Sequence, residues 1–367
     1  MTQTILTTSQ TFAEFSQSRG VHARVLGVKI RRFGDNSFVT ADPQTQRLGS
    51  GGGSVNALFN AWSSSRRAGQ SLEDWLGSER RLILHAGGES RRLPSYAAVG
   101  KAFIPMPREA GISPVLPEPL LADYQVPGMR QLLGSADANI RVMVASGDVW
   151  LDFDPSHIGE MGADITGVGM RVSPETAQHF GVYFVPKPAE RTVSGRPRTI
   201  SFFKQKPSPA EVRHLDASYD FYVDTGMWLF STAALKFLFA RCGWSTAKQR
   251  FTTPNGLPLA LDLYTEIGCA LGTETKPPAA LKKLGFDRLT TAVVPLDNAR
   301  FYHLGSSRQL LDSIEEMQRN KPSIERVFCI SSPVEKFPSR KIRRLDRSLR
   351  CSRSSPPRWT QPRNRPS

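Results

Sequence analysis

A short apolar segment followed by glycines and cations has the residue types needed to hold a polyphosphate. Residues 82–85 predict a buried strand that stops at Gly87-Gly88, where the backbone can turn tightly and approach a ligand without a Cβ in the way. Three cations follow within the next thirteen residues: Arg91, Arg92 and Lys101. Backbone N–H groups give directional donors and the cations offset phosphate charge, so we prefer a polyphosphate site to an ordinary surface loop.

A second glycine-rich segment precedes an amphipathic stretch. Residues 47–54 have the sequence RLGSGGGS, and Ser54 is a good N-cap for the periodic apolar residues after it. We therefore predict a triple-glycine loop that opens onto a helix N-terminus, where donors and dipole favour an anion. The alternative is a flexible linker between an N-terminal appendage and the main domain. The loop glycines are Gly51, Gly52 and Gly53.

An aspartate follows another predicted strand. Residues 140–145 are rich in β-forming side chains and lead into Gly147 and Asp148. An Asp at the carboxyl end of a parallel strand lies at the crevice where such sheets bind ligands. Mg²⁺ prefers oxygen ligands and takes only one or two carboxylates, with phosphate and water completing its shell, so Asp148 is a candidate Mg²⁺ ligand. A plain Gly-Asp turn is the alternative.

These motifs together resemble a known family. The pattern L-x-A-G-G-x-S-R-R-L-P, with Lys101 nine residues after Arg92, resembles the signature of sugar-nucleotide pyrophosphorylases. More narrowly, it is similar to the fucose-1-phosphate guanylyltransferase (GDP-fucose pyrophosphorylase) domain, which in bacteria and plants is joined to an L-fucokinase domain. The resemblance implies that Arg92 and Lys101 bind the triphosphate and help the α-phosphorus react, with Mg²⁺ on Asp148. The implied nucleotide-binding residues are Gly51, Gly52, Gly53, Ala86, Gly87, Gly88, Ser90, Arg91 and Gly147.

The resemblance extends to later strand ends, where it implies contacts with a sugar phosphate. The residues at those positions are Gly181, Gln205, Lys206, Asp224, Gly226 and His303. Gln205 replaces a Glu, so sugar hydroxyls would meet an amide with both donor and acceptor. His303 stands where many members have a second metal-binding aspartate, and a neutral histidine is a poorer Mg²⁺ ligand. Either Asp148 holds the ion with more help from phosphate and water, or the metal site is weakened. We prefer the first alternative, because the fucose branch of the family shares the histidine. On the residues alone, the polar insertion at Gly226 would be a strand bulge.

The order of the elements predicts the fold class. Strands alternate with helices and candidate site residues follow strand ends, which is typical of α/β proteins. With the resemblance, this indicates a three-layer α/β/α nucleotidyltransferase (Rossmann-like) fold with a mostly parallel sheet. Residues 259–271 are predicted as one of its helices. We expect an N-terminal extension (1–22), a nucleotidyltransferase domain (23–330) and a basic, disordered tail (331–367).

Charge and composition narrow the function classes. Nine of the fifteen net positive charges lie in residues 331–367, which hold eleven Lys/Arg and two acidic residues. The remaining residues, 1–330, are mildly basic, which suits anionic small-molecule substrates, and we do not expect nucleic acid as a partner. Two alternatives stay open for the tail: that it binds nucleic acid, or that it is the altered end of a truncated gene product. The first thirty residues hold no signal-like apolar run, no stretch approaches a membrane span, and the four cysteines have no paired spacing. We therefore expect a cytoplasmic protein without a membrane partner.

The predicted reaction is GTP + L-fucose 1-phosphate → GDP-L-fucose + pyrophosphate, with Mg²⁺ as cofactor. Two alternatives remain: a truncated, catalytically weak or inactive nucleotide-binding relative, and a nucleotidyltransferase for another sugar 1-phosphate or nucleotide. Residues 207–367 contain no glycine- and serine-rich phosphate loop of a sugar kinase and are too few for such a domain. We therefore expect only the pyrophosphorylase half of the fused family.

Overall fold

Strands and helices alternate along the chain. The computed structural model describes residues 2–8, 36–86, 92–96, 100–107, 119–187 and 194–320. The strands are β1 (Thr2–Thr8), β2 (Ser37–Ala41), β3 (Arg80–His85), β4 (Ile140–Ser146), β5 (Val149–Asp152), β6 (Ile165–Met170), β7 (Gly181–Pro186), β8 (Arg198–Thr199), β9 (Phe202–Gln205), β10 (Tyr219–Ser231), β11 (Trp244–Ser245), β12 (Arg250–Phe251), β13 (Thr291–Leu296) and β14 (Arg300–His303). The α-helices are α1 (Gly49–Ser65), α2 (Leu72–Ser78), α3 (Leu121–Ser135), α4 (Pro174–Ala177), α5 (Pro209–Leu215), α6 (Thr232–Arg241), α7 (Ala279–Lys282) and α8 (Ser307–Asn320). None of these helices combines the length and the apolar character that a membrane crossing requires.

One large sheet organises the described part of the chain. Its main path runs β2-β1-β3-β4-β10-β6-β13-β8, with β7 paired to β10 and β9 paired to β7. Strands β2, β1, β3 and β4 pair in parallel, and so do β6 and β13. Strand β10 runs antiparallel to β4 and β6. The prediction of a mostly parallel sheet is confirmed, with β8, β9 and β10 as the reversed strands.

Helices cover both faces of this sheet. Side chains alternate across a strand, so Ile83 lies on one face and Leu82 and Leu84 lie on the other. The Ile83 face packs against the apolar sides of α1, α2 and α6. The opposite face packs against α3 and the 3₁₀ turn Lys101–Phe103. The predicted three-layer α/β/α arrangement is confirmed.

The first strand lies outside the predicted domain boundary. Residues 1–22 are predicted as an extension, yet β1 lies inside the sheet between β2 and β3. Its apolar residues Ile5 and Leu6 are buried on opposite faces, and its other buried positions are threonine or glutamine. The segment therefore lacks the apolar alternation by which a strand is recognised in a sequence.

Residues 259–271 do not form the single α-helix that their apolar spacing predicts. They contain a π-helical turn at Leu263–Ile267 and a 3₁₀ turn at Gly268–Ala270. The Asp262 carboxylate caps the π-helical turn by accepting the backbone N–H groups of Tyr264 at 3.0 Å and Thr265 at 2.8 Å. Single π-helical turns occur frequently at functional sites.

Candidate active site

The carboxyl ends of β3 and β4 lie side by side at one edge of the sheet. His85 ends β3 and Ser146 ends β4, and the two residues are partners in the parallel register. The segments that follow, from Ala86 and Gly147, therefore leave the sheet together. This is the edge at which open parallel sheets bind their ligands.

Two glycines pack against the backbone after β3. Gly147 donates its N–H to the His85 carbonyl at 2.9 Å, and a Cβ on Gly147 would lie 2.7 Å from that oxygen. Gly100 has a φ of +87°, and a Cβ there would lie 2.7 Å from the Ala86 carbonyl oxygen. A larger residue at either position would push the segments apart. The two glycines therefore allow the residues that follow them to meet.

Those two residues, Lys101 and Asp148, form an ion pair. Lys101 Nζ lies 2.7 Å from Asp148 Oδ2 and also donates to the Gly305 carbonyl at 3.0 Å. Ser146 Oγ donates to Asp148 Oδ1 at 2.7 Å. Burial alone would raise the pKa of Asp148, but nearby Lys101 and His303 and these hydrogen bonds hold it below its ordinary value. Asp148 is therefore ionised at neutral pH, with a cation in contact.

His303 borders this pair. Strand β14 pairs with β5, and His303 lies opposite Val149, the residue after Asp148. His303 Nε2 lies 3.9 Å from Asp148 Oδ2, and Gln309 Nε2 lies 3.2 Å from His303 Nδ1. Ser306 Oγ already donates to Gln309 Oε1, so the Gln309 amide donates to Nδ1 and the imidazole proton sits on Nε2. Burial and nearby cations lower the pKa of His303 against the opposing effect of Asp148, so the ring is neutral at pH 7.

Arg92 is the exposed member of this group. Its backbone carbonyl accepts the N–H of Ser307 at 2.9 Å, which ties the start of α8 to the segment carrying Arg92. Its positive charge acts on His303 and helps to lower the pKa of that imidazole. The structure therefore brings Arg92, Lys101, Asp148 and His303 to the same edge of the sheet.

Asp148 is the candidate metal ligand at this edge. Among the residues that the structure describes, no group of three or more His, Cys, Asp or Glu side chains is arranged to hold a metal ion. A single carboxylate beside a neutral histidine fits Mg²⁺ where phosphate and water supply most of the ligands. The Lys101 ammonium lies 2.7 Å from Asp148 Oδ2, so a metal ion and the lysine would compete for the same oxygen.

A second wall of the site, beside the group of Arg92, Lys101, Asp148 and His303, is built from β7, β9 and the turn after β9. Gly181 is the register partner of Gln205, and a Cβ on Gly181 would lie 3.0 Å from Gln205 Oε1. That oxygen is buried and has no hydrogen-bond partner within the described ranges. Lys206 follows with a φ of +52° and an exposed side chain, and its N–H donates to the Phe180 carbonyl at 2.9 Å. The Phe180 ring lies 5.9 Å from the His303 ring, so the two walls adjoin.

Asp224 organises this wall instead of offering free acceptors. It is 5% exposed and accepts from Tyr183 Oη at 3.0 Å, Trp228 Nε1 at 3.0 Å and the Gly226 N–H at 3.1 Å. Burial raises the pKa of Asp224 to about 6, against the opposing effect of these hydrogen bonds. Gly226 has a φ of +76° and lies against Ser146, since a Cβ there would be 2.9 Å from Ser146 Cβ. The predicted contact of Asp224 with sugar hydroxyls is not supported, because protein donors occupy both of its oxygens.

Comparison with known proteins assigns the chain. The fucose pyrophosphorylase domain matches residues 73–344, a range that includes Lys101 and Asp148. The chain belongs to this family. L-fucokinase/L-fucose-1-P guanylyltransferase of Bacteroides fragilis is 32% identical over 287 residues, which are 77% of this chain and 28% of that protein. Bifunctional fucokinase/GDP-fucose pyrophosphorylase of Arabidopsis thaliana is 26% identical over 196 residues, 49% of this chain and 18% of that protein. The chain thus spans less than a third of the length of these relatives.

Solved structures similar to this family member are distant in sequence. UDP-glucose pyrophosphorylase from Acinetobacter baumannii is 10% identical with a TM-score of 0.38, covering 68% of this chain and 97% of that one. Inositol-1-phosphate CTP transferase from T. maritima is 13% identical with a TM-score of 0.31, covering 88% of this chain and 96% of that one. At these values neither structure adds to the assignment, which rests on the family match.

The triple glycine, which precedes the range matched by the family, belongs to a helix and not to a loop before one. The N–H groups of Gly51 and Gly52 donate to the Leu261 carbonyl at 2.8 and 2.9 Å. Gly53 faces a carboxylate, since its Cβ would lie 3.1 Å from Asp42 Oδ1. The predicted N-cap serine lies inside α1, so the predicted helix start is wrong. The amides of Gly51 and Gly52 are bonded to protein, and Gly53 lies beside an acidic side chain. The structure therefore does not support the nucleotide contacts that were predicted for these three glycines.

Other predicted nucleotide contacts divide into two groups. Ala86 donates its N–H to the Thr7 carbonyl at 3.0 Å, and the Gly147 N–H is bonded to His85. These two residues therefore shape the edge of the sheet, and their amides are not free for a nucleotide as predicted. The remaining predicted contacts lie outside the described residues: Gly87, Gly88, Ser90 and Arg91.

Sequence analysis missed a partly buried histidine that supports this edge. His85 Nε2 lies 2.8 Å from Ser54 Oγ, and His85 Nδ1 lies 3.0 Å from Thr7 Oγ1. Burial lowers the pKa of His85 to about 4, so the neutral ring links β3 to α1 and β1 at physiological pH. Its place two residues before Gly87 was the available signal. Its partners are 31 and 78 residues away in sequence, and no local pattern identifies them.

Proposed function

We propose that this chain is a sugar-1-phosphate nucleotidyltransferase that converts GTP and L-fucose 1-phosphate into GDP-L-fucose and pyrophosphate. The supporting observation is the contact between Lys101 and Asp148 at the ligand-binding edge of the sheet, with Arg92 and His303 beside it. The named relatives are a guanylyltransferase and a GDP-fucose pyrophosphorylase, which supports the choice of base and sugar. Because the chain spans less than a third of either relative, its activity on its own is part of the proposal.

The chemistry needs positioning and charge stabilisation, and no protein nucleophile. An oxygen of the sugar phosphate forms a bond to the α-phosphorus of GTP. The bond from the α-phosphorus to the oxygen bridging it to the β-phosphate breaks, and its electron pair leaves with pyrophosphate. The attacking phosphate is already ionised near neutral pH, so no general base is required. Catalysis then consists of alignment and of electrostatic stabilisation of the leaving oxygens.

Lys101 and Arg92 are the cations proposed to stabilise that charge. Lys101 is held between Asp148 and the Gly305 carbonyl, and on GTP binding it exchanges the Asp148 carboxylate for a phosphate oxygen. Asp148 would hold Mg²⁺, which when bound supplies Lewis-acid stabilisation of phosphate charge. His303, neutral with its proton on Nε2, offers a further hydrogen-bond donor to a phosphate oxygen without adding charge.

The second wall is proposed to hold the sugar phosphate. Lys206 is exposed beside Gln205 and supplies a cation for the attacking phosphate. Gln205 Oε1, which is buried and unpartnered within the described ranges, supplies an acceptor for a sugar hydroxyl. Gly181 permits this arrangement because it leaves room beside that oxygen.

The direct test is pyrophosphate release by the purified chain with Mg²⁺, GTP and L-fucose 1-phosphate. A panel of nucleoside triphosphates against several sugar 1-phosphates then ranks base and sugar. Lys101→Ala is expected to lower kcat by roughly 100- to 1,000-fold, the usual loss when one electrostatic donor to a transition state is removed. A thermal unfolding curve checks that the variant is folded. GTP binding by the wild type without pyrophosphate release from any substrate pair would contradict the proposal and favour an inactive relative.

A further inference from the structure

Tyr264 lies in the wall of the site, on the π-helical turn Leu263–Ile267. Its ring packs edge-on against the Trp228 indole, with ring centroids 6.1 Å apart and planes at 90°. Trp228 in turn donates to the Asp224 carboxylate. The residue is only partly buried, so part of it remains accessible beside the site.

The Tyr264 hydroxyl is a neutral donor without a hydrogen-bond partner among the residues that the structure describes. It makes no hydrogen bond within the described ranges, and the Tyr264 residue as a whole is only partly buried. Burial, followed by the charges of Asp224, Asp148 and Asp262, raises the pKa of Tyr264 well above its ordinary value. The phenol therefore keeps its proton at physiological pH. A tyrosine hydroxyl in a partly buried setting normally has a partner, so this one is available for a ligand.

A chain of contacts joins Tyr264 to Gln205. The Cys269 thiol donates to the Tyr264 carbonyl at 3.5 Å and also interacts with the backbone of Gln205. Gly268, the neighbour of Cys269, lies against Phe203, since its Cβ would be 2.7 Å from that ring. Tyr264 and Gln205 thus belong to one wall. It contains an uncharged donor, and in Gln205 Oε1 a buried acceptor that is unpartnered among the described residues.

We propose that Tyr264 donates a hydrogen bond to a hydroxyl oxygen of the sugar in the sugar 1-phosphate, while Gln205 accepts from a neighbouring hydroxyl. A monosaccharide offers adjacent hydroxyls that both donate and accept, which matches one neutral donor and one neutral acceptor. This inference rests on the proposed function and adds the residue that selects the sugar. A site built to bond a substrate hydroxyl discriminates against an analogue that lacks it.

The test is Tyr264→Phe, which removes the hydroxyl and keeps the ring contact with Trp228. We expect the KM for the sugar 1-phosphate to rise about 5- to 10-fold, the loss of roughly one hydrogen bond. The KM for GTP, kcat and the thermal unfolding midpoint are expected to stay unchanged. Mono-deoxy sugar 1-phosphates add a second arm. For one of these analogues the KM of the wild type should rise by the same factor, and the KM of Tyr264→Phe should not rise beyond its value for the parent sugar 1-phosphate.

Tyr219→Phe is the matched control, because the Tyr219 hydroxyl donates to exposed Glu274 at 2.6 Å and takes no part in the site. It should leave both KM values unchanged. An unchanged sugar KM in Tyr264→Phe, a rise in the GTP KM instead, or an equal rise in both would overturn the inference. If the wild type shows no turnover, the proposed function fails, and calorimetric binding of the sugar 1-phosphate to wild type and variant decides the role of Tyr264. Equal affinities, or no binding to either protein, would overturn it.

Discussion

Replacing Asp148 by asparagine is expected to change GTP affinity and turnover in opposite directions. In the structure the Asp148 carboxylate holds Lys101 Nζ at 2.7 Å, and the two side chains are only 19% and 14% exposed. A triphosphate that takes Lys101 must first displace it from this partner. Asp148→Asn weakens that hold and removes a negative charge from the neighbourhood of the phosphates. Metal-free GTP should therefore bind more tightly to the variant.

The size of the effect follows from the contacts of Lys101. A charge-assisted hydrogen bond contributes about 1.5–3 kcal/mol. Lys101 keeps its bond to the Gly305 carbonyl at 3.0 Å in the variant, so we take the lower end. About 1.4 kcal/mol corresponds to a tenfold gain in affinity for metal-free GTP. Turnover with Mg²⁺ should fall by roughly 100-fold or more, because the variant loses the carboxylate proposed to hold the metal.

Titration calorimetry of GTP in the presence of a chelator measures the first effect, and pyrophosphate release with Mg²⁺ measures the second. Asp220→Asn is a matched control, because Asp220 is also 19% exposed and pairs with Arg198, itself 12% exposed, at 2.6 Å. It should change neither quantity. Equal or weaker binding of metal-free GTP by Asp148→Asn would refute the idea that the carboxylate restrains Lys101.

Two further predictions concern the backbone and the buried acid. Gly147→Ala should destabilise the protein by about 1–3 kcal/mol in urea unfolding, because its Cβ would lie 2.7 Å from the His85 carbonyl oxygen. Gly134→Ala in α3 has nothing within 4 Å of its Cβ and should gain up to about 1 kcal/mol. The Asp224 carboxyl should titrate near pH 6 in a carboxyl-carbon NMR experiment. Since this folded pKa is raised, its contribution to stability is present below the unfolded pKa of about 4 and is lost as pH rises through about 6. An NMR titration midpoint below 4 would contradict the inference that burial controls the pKa of Asp224.

Local patterns were sufficient for the strands that build the site. Residues 82–85 and 140–145 are apolar and β-forming, and they lie within β3 and β4. The glycine before Lys101 and the glycine before Asp148 are visible in the sequence, but their shared contact with the turn after β3 is not. The 47-residue separation of the ion pair is closed by parallel strand pairing, which no local pattern specifies.

The triple glycine shows why the rest of the site could not be predicted. A glycine permits close approach of any backbone or ligand, and the sequence does not state which one approaches. In α1 the approaching group is the Leu261 carbonyl, contributed by a segment some 200 residues later. The same later segment forms a π-helical turn instead of the predicted helix, and Tyr264 lies on that turn.

Asp148, which follows the end of β4, and Asp224, which lies inside β10, differ in pKa because their partners differ. Asp148 meets a cation and a hydroxyl, which lower its pKa, so it is an ionised group that can exchange one cation for another. Asp224 meets only neutral donors in a buried setting, and its pKa rises to about 6. Replacing a neutral donor by a metal ion at Asp224 would leave Trp228 Nε1 or Tyr183 Oη without an acceptor in the core, at a cost of about 1–3 kcal/mol each. Of these two acids, only Asp148 is therefore suited to hold a metal ion, and the difference depends on neighbours far away in sequence.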